Sequence, residues 1–142
     1  MKVKVKSPYQ MAIAHEGDVG VDIYATEDVV LKRFQTKVIP TGVYLELPEG
    51  VECQVRPKSG LTSKGVIVHL GTVDNLYRGE IGVNTTNLTE NDILTISKGA
   101  KIAQLVFKRY ENAEIIMVDE IDSNTDRGKD GFGSTGDSLG DC

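Results

Sequence analysis

The sequence lacks tryptophan and contains little aromatic or apolar material for its length. Aromatic residues make up 6% of the 142 residues and apolar residues 39%, while glycine occurs 15 times. This composition predicts a single domain with many turns. Its core should be thin, or completed by partner subunits.

Long apolar runs, a basic surface and cysteine motifs are also missing. No stretch approaches the roughly 20 apolar residues of a membrane-spanning helix, and residues 2–6 alternate lysine with valine, unlike a signal peptide. Cys53 and Cys142 form neither a disulfide framework nor a metal-binding spacing. The net charge of −5 argues against nucleic-acid binding, which needs a basic surface. We therefore expect a cytoplasmic protein with no nucleic-acid or membrane partner.

Alternation of apolar and polar residues dominates the chain, and helical periodicity is scarce. Residues 43–47 show the alternation most clearly, and turn-forming proline and glycine separate such runs. Only residues 59–65 have the composition of a short helix. Strands are predicted at residues 2–6, 21–25, 38–39, 43–47, 51–55, 66–69, 81–84, 93–96, 102–107 and 114–118. Many short strands predict an all-β sandwich or jelly roll.

Residues 119–142 differ from the rest in being rich in Asp, Gly and Ser, with Phe132 as their single aromatic residue. Such a segment cannot bury enough apolar surface to offset its chain entropy. We expect a β domain of residues 1–118 followed by a flexible arm of residues 119–142. The glycines, hydroxyls and Arg127 of this arm suit an anion, and Phe132 suits stacking on a base. A flexible tail without a role is the alternative.

Two segments of the domain carry residue types suited to a phosphorylated ligand. Ser59 at the start of a short helix would offer a hydroxyl and free N–H groups to an anion, or serve only as a helix cap. Residues 71–82 lie between strand-like runs, which predicts a β-hairpin with Asp74 and Tyr77 near its tip. Asp74 suits a general base toward water, although a turn Asp without such a role is common.

Asp22 is an acidic residue within an otherwise apolar strand. A carboxylate in that position is costly unless it has a polar partner. A hydrated metal ion is one candidate for that partner.

Five segments, in their order and spacing, resemble the five motifs of the trimeric deoxyuridine triphosphatase family. They are residues 20–24 (GVDIY), 57–61 (PKSGL), 71–79, 98–105 and 127–136. Each is a weak signal alone, but their succession over nearly the whole chain is specific. The resemblance implies a jelly-roll β-barrel that assembles as a homotrimer with shared active sites. The C-terminal arm would then close over the site of a neighbouring subunit.

The resemblance also implies an activity, the hydrolysis of dUTP to dUMP and diphosphate. This reaction limits uracil incorporation into DNA and supplies dUMP for thymidine nucleotide synthesis. Asp74 matches the catalytic carboxylate, which directs water at the α-phosphorus. The implied cofactor is Mg²⁺, bound mainly by the substrate phosphates, with Asp22 holding water ligands of the metal.

The same resemblance assigns residues to the substrate dUTP. The hairpin would hold uracil and deoxyribose, with Tyr77 packed where a 2′-hydroxyl would otherwise lie. In the closed arm, Phe132 would cover uracil and Arg127 would contact the γ-phosphate. The complete set of implied substrate-binding residues is Lys58, Ser59, Gly60, Gly71, Thr72, Val73, Tyr77, Gly82, Gln104, Arg127, Phe132, Gly133, Ser134 and Thr135.

The chain departs from the family pattern in its second, third and fourth motifs. Lys58 and Lys101 stand where the family usually has arginine, and Leu76 and Ala100 stand in place of acidic residues. An ammonium cannot make the bidentate contact of a guanidinium, so a looser grip is expected at Lys58. Arg56 is set aside as a substitute, since we assign its side chain to the opposite face of an extended strand.

Two other functions remain open on the sequence alone. A dCTP deaminase has the same fold, but it would use a hairpin glutamate where this chain has Asp74. A regulatory binding protein, in which dUTP occupancy and arm closure switch an interface, also fits. The unusual residues Lys58, Leu76 and Ala100 keep that second role possible.

Overall fold

The computed structural model describes residues 1–136, which are almost entirely β structure with one short helix. The elements are β1 (Lys4–Lys6), β2 (Val21–Tyr24), β3 (Val29–Lys32), β4 (Thr36–Pro40), β5 (Tyr44–Glu46), β6 (Val51–Arg56), α1 (Ser59–Thr62), β7 (Val66–Val68), β8 (Gly71–Val73), β9 (Gly82–Asn87), β10 (Ile93–Ile96) and β11 (Lys101–Arg109). The all-β, jelly-roll-like class predicted from the sequence is confirmed.

The strands of the described chain pair in four antiparallel sheets. The largest has the strand order β2–β11–β6–β8, and a three-stranded sheet has the order β4–β9–β7. In the two remaining sheets β1 pairs with β5 and β3 with β10. Most neighbours are distant in sequence, so the connections cross from one sheet to another, as they do in jelly rolls.

Alternation of side chains along the strands builds the core. In β6, Val51, Cys53 and Val55 are buried, whereas the residues between them lie on the outer face. Burial raises the pKa of the Cys53 thiol to about 12, so this cysteine is an inert core residue. Cys142 lies outside the described residues. The side chains that fill the centre of the core are Ile23, Leu31, Ile39, Val43, Val51, Val83, Ile102 and Leu105.

The predicted strands between residues 2 and 107 form, although their ends shift by a few residues. The strand predicted at residues 114–118 is wrong, because those residues have no regular secondary structure. A strand needs a neighbour for its backbone hydrogen bonds, and no strand within residues 1–136 pairs with this segment. Its apolar side chains are exposed, by 76% at Ile115 and 88% at Met117. Strands β3 and β8 were not predicted.

The chain divides into two compact units, Met1–Asn112 and Ala113–Cys142, the second described as far as Gly136. All strands and α1 belong to the first unit. The second unit contains turns and irregular segments, and it starts somewhat before the arm predicted at residues 119–142. No helix within residues 1–136 has the length and hydrophobicity needed to cross a membrane.

Candidate functional site

The segment predicted as a hairpin has a more complex path than a simple two-stranded ribbon. Its flanking strands β7 and β9 do pair with each other, as expected. Between them, however, the chain leaves that sheet, and β8 pairs with β6, placing Val73 opposite Cys53. A turn follows, in which the backbone N–H of Tyr77 donates to the carbonyl of Asp74 at 3.0 Å.

A cavity of about 320 Å³ opens beside this turn. All the residues assigned to the uracil and sugar pocket line it, together with the carboxylate assigned to catalysis. The lining residues are Val55, Gly71, Thr72, Val73, Asp74, Tyr77, Glu80, Ile81, Gly82 and Asn84. Asp74 itself is exposed, so its carboxylate is accessible to water.

Several contacts fix the shape of the turn. The Asn75 amide donates to the carbonyls of Pro48 at 2.7 Å and Val51 at 2.9 Å, which ties the turn to the start of β6. The Tyr77 hydroxyl donates to the carbonyl of Glu80 at 2.9 Å. A Cβ at Gly79 would lie 2.3 Å from that hydroxyl, so glycine is needed there for the ring to keep its place.

A second cavity, of about 290 Å³, brings together another set of predicted residues. Asp22, Lys58 and Gln104 meet there, although they are far apart in sequence. The complete lining is Ala14, His15, Asp18, Val19, Gly20, Asp22, Lys58, Lys101 and Gln104. Within the described chain, the two cavities have no lining residue in common.

The outer face of the largest sheet supplies one wall of this second cavity. Asp22 on β2 is the register partner of Gln104 on β11, so their side chains share a face. The Gln104 amide donates to the carbonyl of Pro57 at 3.0 Å. Gly20 leaves room for this side chain, because a Cβ there would lie 2.1 Å from its Oε1.

Arg56 lies on the same outer face, as the register partner of Gln104 on its other side. The assignment of Arg56 to the opposite face was wrong, because every second residue of a strand points to the same side. Its guanidinium donates to Oε1 of Gln54, from Nε at 3.0 Å and from Nη2 at 2.8 Å.

Two ammonium groups contact the carboxylate of Asp22. Lys58 Nζ donates to Oδ1, and Lys101 Nζ lies 3.0 Å from Oδ2. Burial works to raise the pKa of Asp22, but the hydrogen bonds from both lysines outweigh it and hold the pKa below its ordinary value. The same contact raises the pKa of Lys101. The polar partner expected for Asp22 is therefore present as a pair of lysines, and the water-mediated metal contact stays a prediction.

The short helix α1 begins at Ser59, one residue earlier than a cap at Ser59 would require. Lys58 is the N-cap, with an extended backbone and no side-chain capping bond, and its carbonyl accepts from Leu61 and Thr62 at 3.1 Å each. The alternative that Ser59 merely caps the helix is therefore wrong. Ser59 and Gly60 are exposed in the first turn, where backbone N–H groups have no partner within the helix.

The arm residues assigned to the substrate lie in turns of the second unit. Arg127 and Asp130 form one turn, in which Arg127 Nε donates to the Asp130 carbonyl at 2.8 Å. Their predicted contacts with the substrate stay predictions. The other predicted arm residues are all exposed, namely Phe132, Gly133, Ser134 and Thr135.

Glu80, Asn84 and Lys101 are among the cavity residues that were not assigned to a site from the sequence. Glu80 accepts from the backbone N–H of Gly42 at 2.9 Å, and it shares the first cavity with Asn84. Both lie close to Gly82 in sequence, which is the signal that would have suggested them. Lys101 lies within the fourth motif, but regular alternation along β11 would place its side chain on the inner face.

Known proteins of similar sequence identify the family. A family model described as dUTPase matches residues 9–136. The deoxyuridine 5'-triphosphate nucleotidohydrolase of Clostridium novyi (strain NT) is 42% identical over 143 residues, covering 96% of this chain and 99% of the relative. The enzyme of the same name from Clostridium kluyveri is 48% identical over 126 residues, 87% of each chain. The chain belongs to the dUTPase family.

Solved structures agree with this placement. The dUTPase of Staphylococcus bacteriophage 80alpha with dUPNHPP superposes with a TM-score of 0.88 at 30% identity, covering 95% of this chain and 98% of that chain. A mutant dUTPase from phage phi11 of S. aureus, whose structure shows the coordination of a structural Mg(II) ion, has a TM-score of 0.79 at 25% identity. It covers 84% of this chain and 98% of its own. These findings favour a triphosphatase over the dCTP deaminase alternative.

The position of the Tyr77 ring depends on Gly79, which allows a direct test of the first cavity. We expect Gly79→Ala to displace the ring and to lower kcat/KM for dUTP roughly tenfold to a hundredfold, because a small misplacement in a site is costly. Steady-state kinetics measure this effect. Tyr77→Phe keeps the ring and should therefore lower kcat/KM by a smaller factor than Gly79→Ala. Equal kinetics for Gly79→Ala and the wild type would show that the ring does not contact the substrate.

Proposed function

We propose that this chain hydrolyses dUTP to dUMP and diphosphate with Asp74 as general base, at sites that three subunits share. As a dUTPase the chain is a hydrolase of the dUTP diphosphatase type. The cavity beside residues 74–77 carries the proposal, because it joins an exposed carboxylate to a pocket of about 320 Å³. That volume lies at the lower end of the roughly 300–1,000 Å³ typical of small-molecule sites.

Recognition of uracil would use the backbone of β8. This strand is at the edge of the largest sheet, so one side of its backbone pairs with β6 and the other has no neighbouring strand within residues 1–136. Unpaired N–H and C=O groups of an edge strand are available to pair with another hydrogen-bonding edge. We assign Gly71, Thr72, Val73 and Gly82 to the base, and the Tyr77 ring to the deoxyribose.

Asp74 would accept a proton from the attacking water. Its exposed carboxylate lies at the cavity edge and forms no hydrogen bond through its side chain to the other described residues. Anhydride hydrolysis requires little covalent help from the protein, so orientation and charge neutralisation should dominate. Lys58, Ser59, Gly60 and Gln104 would contribute those contacts to the phosphates.

The donor set of the chain fits a magnesium ion that is bound mainly by phosphate oxygens. Residues 1–136 contain no group of three or more His, Cys, Asp or Glu side chains that could hold a metal. Both oxygens of Asp22 already contact lysines. Mg²⁺ typically keeps several water ligands and takes one or two carboxylates besides phosphates. When bound, it would neutralise phosphate charge, with Asp22 acting through water.

A homotrimer with shared sites accounts for the separation of the two cavities. One nucleotide must contact both the pocket of Asp74 and the residues assigned to phosphates, yet the cavities have no common lining residue in the described chain. A neighbouring subunit would bring its phosphate-binding residues to the pocket of Asp74, and the arm of residues 119–142 would close over the combined site. Exposed apolar side chains such as Ile93 (63%) and Ile115 (76%) are consistent with burial in an assembly.

The cellular role follows from the reaction. Removal of dUTP would limit uracil incorporation into DNA, and the dUMP formed would supply thymidine nucleotide synthesis. The cytoplasmic location stays a prediction from the sequence.

Substrate selection tests the proposed activity. With Mg²⁺, the purified protein should release diphosphate from dUTP at least about a hundredfold faster than from dCTP, dTTP or UTP, because each of these places an unmatched or additional group in the pocket. A coupled assay for diphosphate measures this. Equal turnover of all four nucleotides would contradict the assignment of the pocket.

The role of Asp74 is tested by Asp74→Asn. Loss of the base should lower kcat about a hundredfold to ten-thousandfold, while the affinity for dUpNHpp, measured by calorimetry, stays close to that of the wild type. Asp126→Asn, in the second unit and outside the assigned residues, is the matched control. If Asp74→Asn keeps its turnover, the base is another group.

The arm is tested by ending the chain after Ser123. Loss of Arg127, Phe132 and the hydroxyls of the arm should lower kcat/KM roughly a hundredfold, because the charge contacts and the exclusion of water are lost together. Light scattering should show the same oligomer as the full chain. Unchanged kinetics would contradict an active role for the arm.

A further inference from the structure

We propose that Lys101 is a second phosphate-binding cation of this site and that Asp22 is the residue that positions it together with Lys58. The proposal rests on the proposed function, since it takes the triphosphate of a nucleotide as the ligand. The sequence marked Lys101 only as a lysine where the family usually has arginine. The proposal assigns this residue a contact with the substrate.

A β-bulge brings Lys101 to the site. Pairing between β11 and β2 is regular from Leu105 to Ala103, but the next pair is Lys101 with Tyr24, which leaves Ile102 as an extra residue. Ile102 and Ala103 are therefore both buried, and Lys101 emerges on the outer face beside Gln104. Bulges commonly re-aim a side chain next to an active site. Without this one, alternation would point Lys101 into the core.

The Asp22 carboxylate holds the two lysines side by side. Its oxygens are divided between them, with Oδ1 contacting Lys58 and Oδ2 contacting Lys101 at 3.0 Å. Asp22 is 16% exposed, while the lysine side chains are 29% and 47% exposed. The carboxylate is therefore more buried than the two lysine side chains, and both lysines line the cavity.

Each ammonium retains hydrogen-bonding capacity for a ligand. A lysine has three N–H donors, and among the described residues Asp22 is the hydrogen-bond or ion-pair partner of Lys58 and Lys101. Two donors per lysine are thus available to phosphate oxygens. The three groups together carry one net positive charge, from two ammoniums and one carboxylate.

The other ionisable side chains that line this cavity, Asp18 and His15, contact each other. Asp18 accepts from the backbone N–H of His15 at 3.1 Å, and its carboxylate is also 3.1 Å from the ring Nδ1. Asp18 therefore stabilises the loop before β2 rather than either lysine. Arg56, on the same face of the sheet, is bound to Gln54. This leaves Lys58 and Lys101 as the cations directed into the cavity.

Two point charges also compensate for the arginine that is missing at position 58. A guanidinium contacts two phosphate oxygens through its planar fork, whereas one ammonium acts as a single charge. A pair of ammoniums fixed by a common carboxylate presents two separated donor groups. The proposal therefore predicts that Lys58 and Lys101 act on phosphates together.

The test compares ligands with and without phosphates, using the purified full-length protein in EDTA so that no metal contributes. For Lys101→Met, we expect the Kd of dUpNHpp to rise at least about tenfold, as for the loss of a hydrogen bond to a charged group. The inhibition constant of deoxyuridine should stay within about twofold. Lys32→Met, a surface lysine on β3, is the matched control and should change neither value. Lys101→Arg should restore most of the affinity for dUpNHpp.

Asp22→Asn separates positioning from metal binding. If Asp22 positions the lysines, this variant weakens dUpNHpp binding in EDTA while deoxyuridine binding is unchanged. In protein that already carries Lys101→Met, the further substitution Asp22→Asn should weaken dUpNHpp binding by a smaller factor. A loss seen only with Mg²⁺ would overturn the positioning role.

The proposal is overturned if Lys101→Met binds dUpNHpp as the wild type does, or if deoxyuridine binding falls by the same factor. If Lys101→Met does not fold, Lys101→Gln takes its place in the test, because a glutamine can still donate to Asp22 but carries no charge. These binding data are independent of turnover. Failure of the wild type to hydrolyse dUTP would refute the proposed function without deciding the role of Lys101.

Discussion

The pairing of β8 with β6 is the interaction on which the first cavity depends. The chain on either side of β8 belongs to another sheet, so residues 69–81 must cross from one sheet to the next and return. This crossing opens the cavity and puts Asp74 on an exposed turn at its edge. It also makes β8 an edge strand, with backbone groups available to a ligand. The amide of Asn75 then fixes the turn against the start of β6.

The same sheet also organises the second cavity, through its outer face. Asp22, Gln104 and Arg56 are neighbours across three strands. A bulge at Ile102 adds Lys101 to this face, where the carboxylate of Asp22 contacts both Lys101 and Lys58. One sheet thus offers hydrogen-bonding backbone at its edge and positive charge on its face. These are the two properties that a nucleotide requires.

Much of this arrangement was predictable from local patterns and motif spacing. Alternation identified the β class and most strands, and the motifs identified several of the residues that line the cavity beside Asp74, though not Val55 or Asn84. The partner of β8 was not predictable, since local sequence does not specify which distant strand a short segment will join. The contact of Lys101 with Asp22 was hidden by the bulge, because strict alternation assigns Lys101 to the core. The strand predicted at residues 114–118 does not form, because no strand of the described chain pairs with its backbone. Its apolar side chains are left exposed.

The central claim is that one active site combines Asp74 of one chain with the arm of another. Co-expression of full-length Asp74→Asn chains with chains that keep Asp74 but end after Ser123 tests it, since each alone is expected to lose at least about a hundredfold in activity. In random trimers, about a quarter of the sites would pair an intact Asp74 with an intact arm from a different chain. The account predicts that about a quarter of the wild-type specific activity is recovered. Activity no greater than that of the separate parents, in trimers shown to contain both chains, would contradict it.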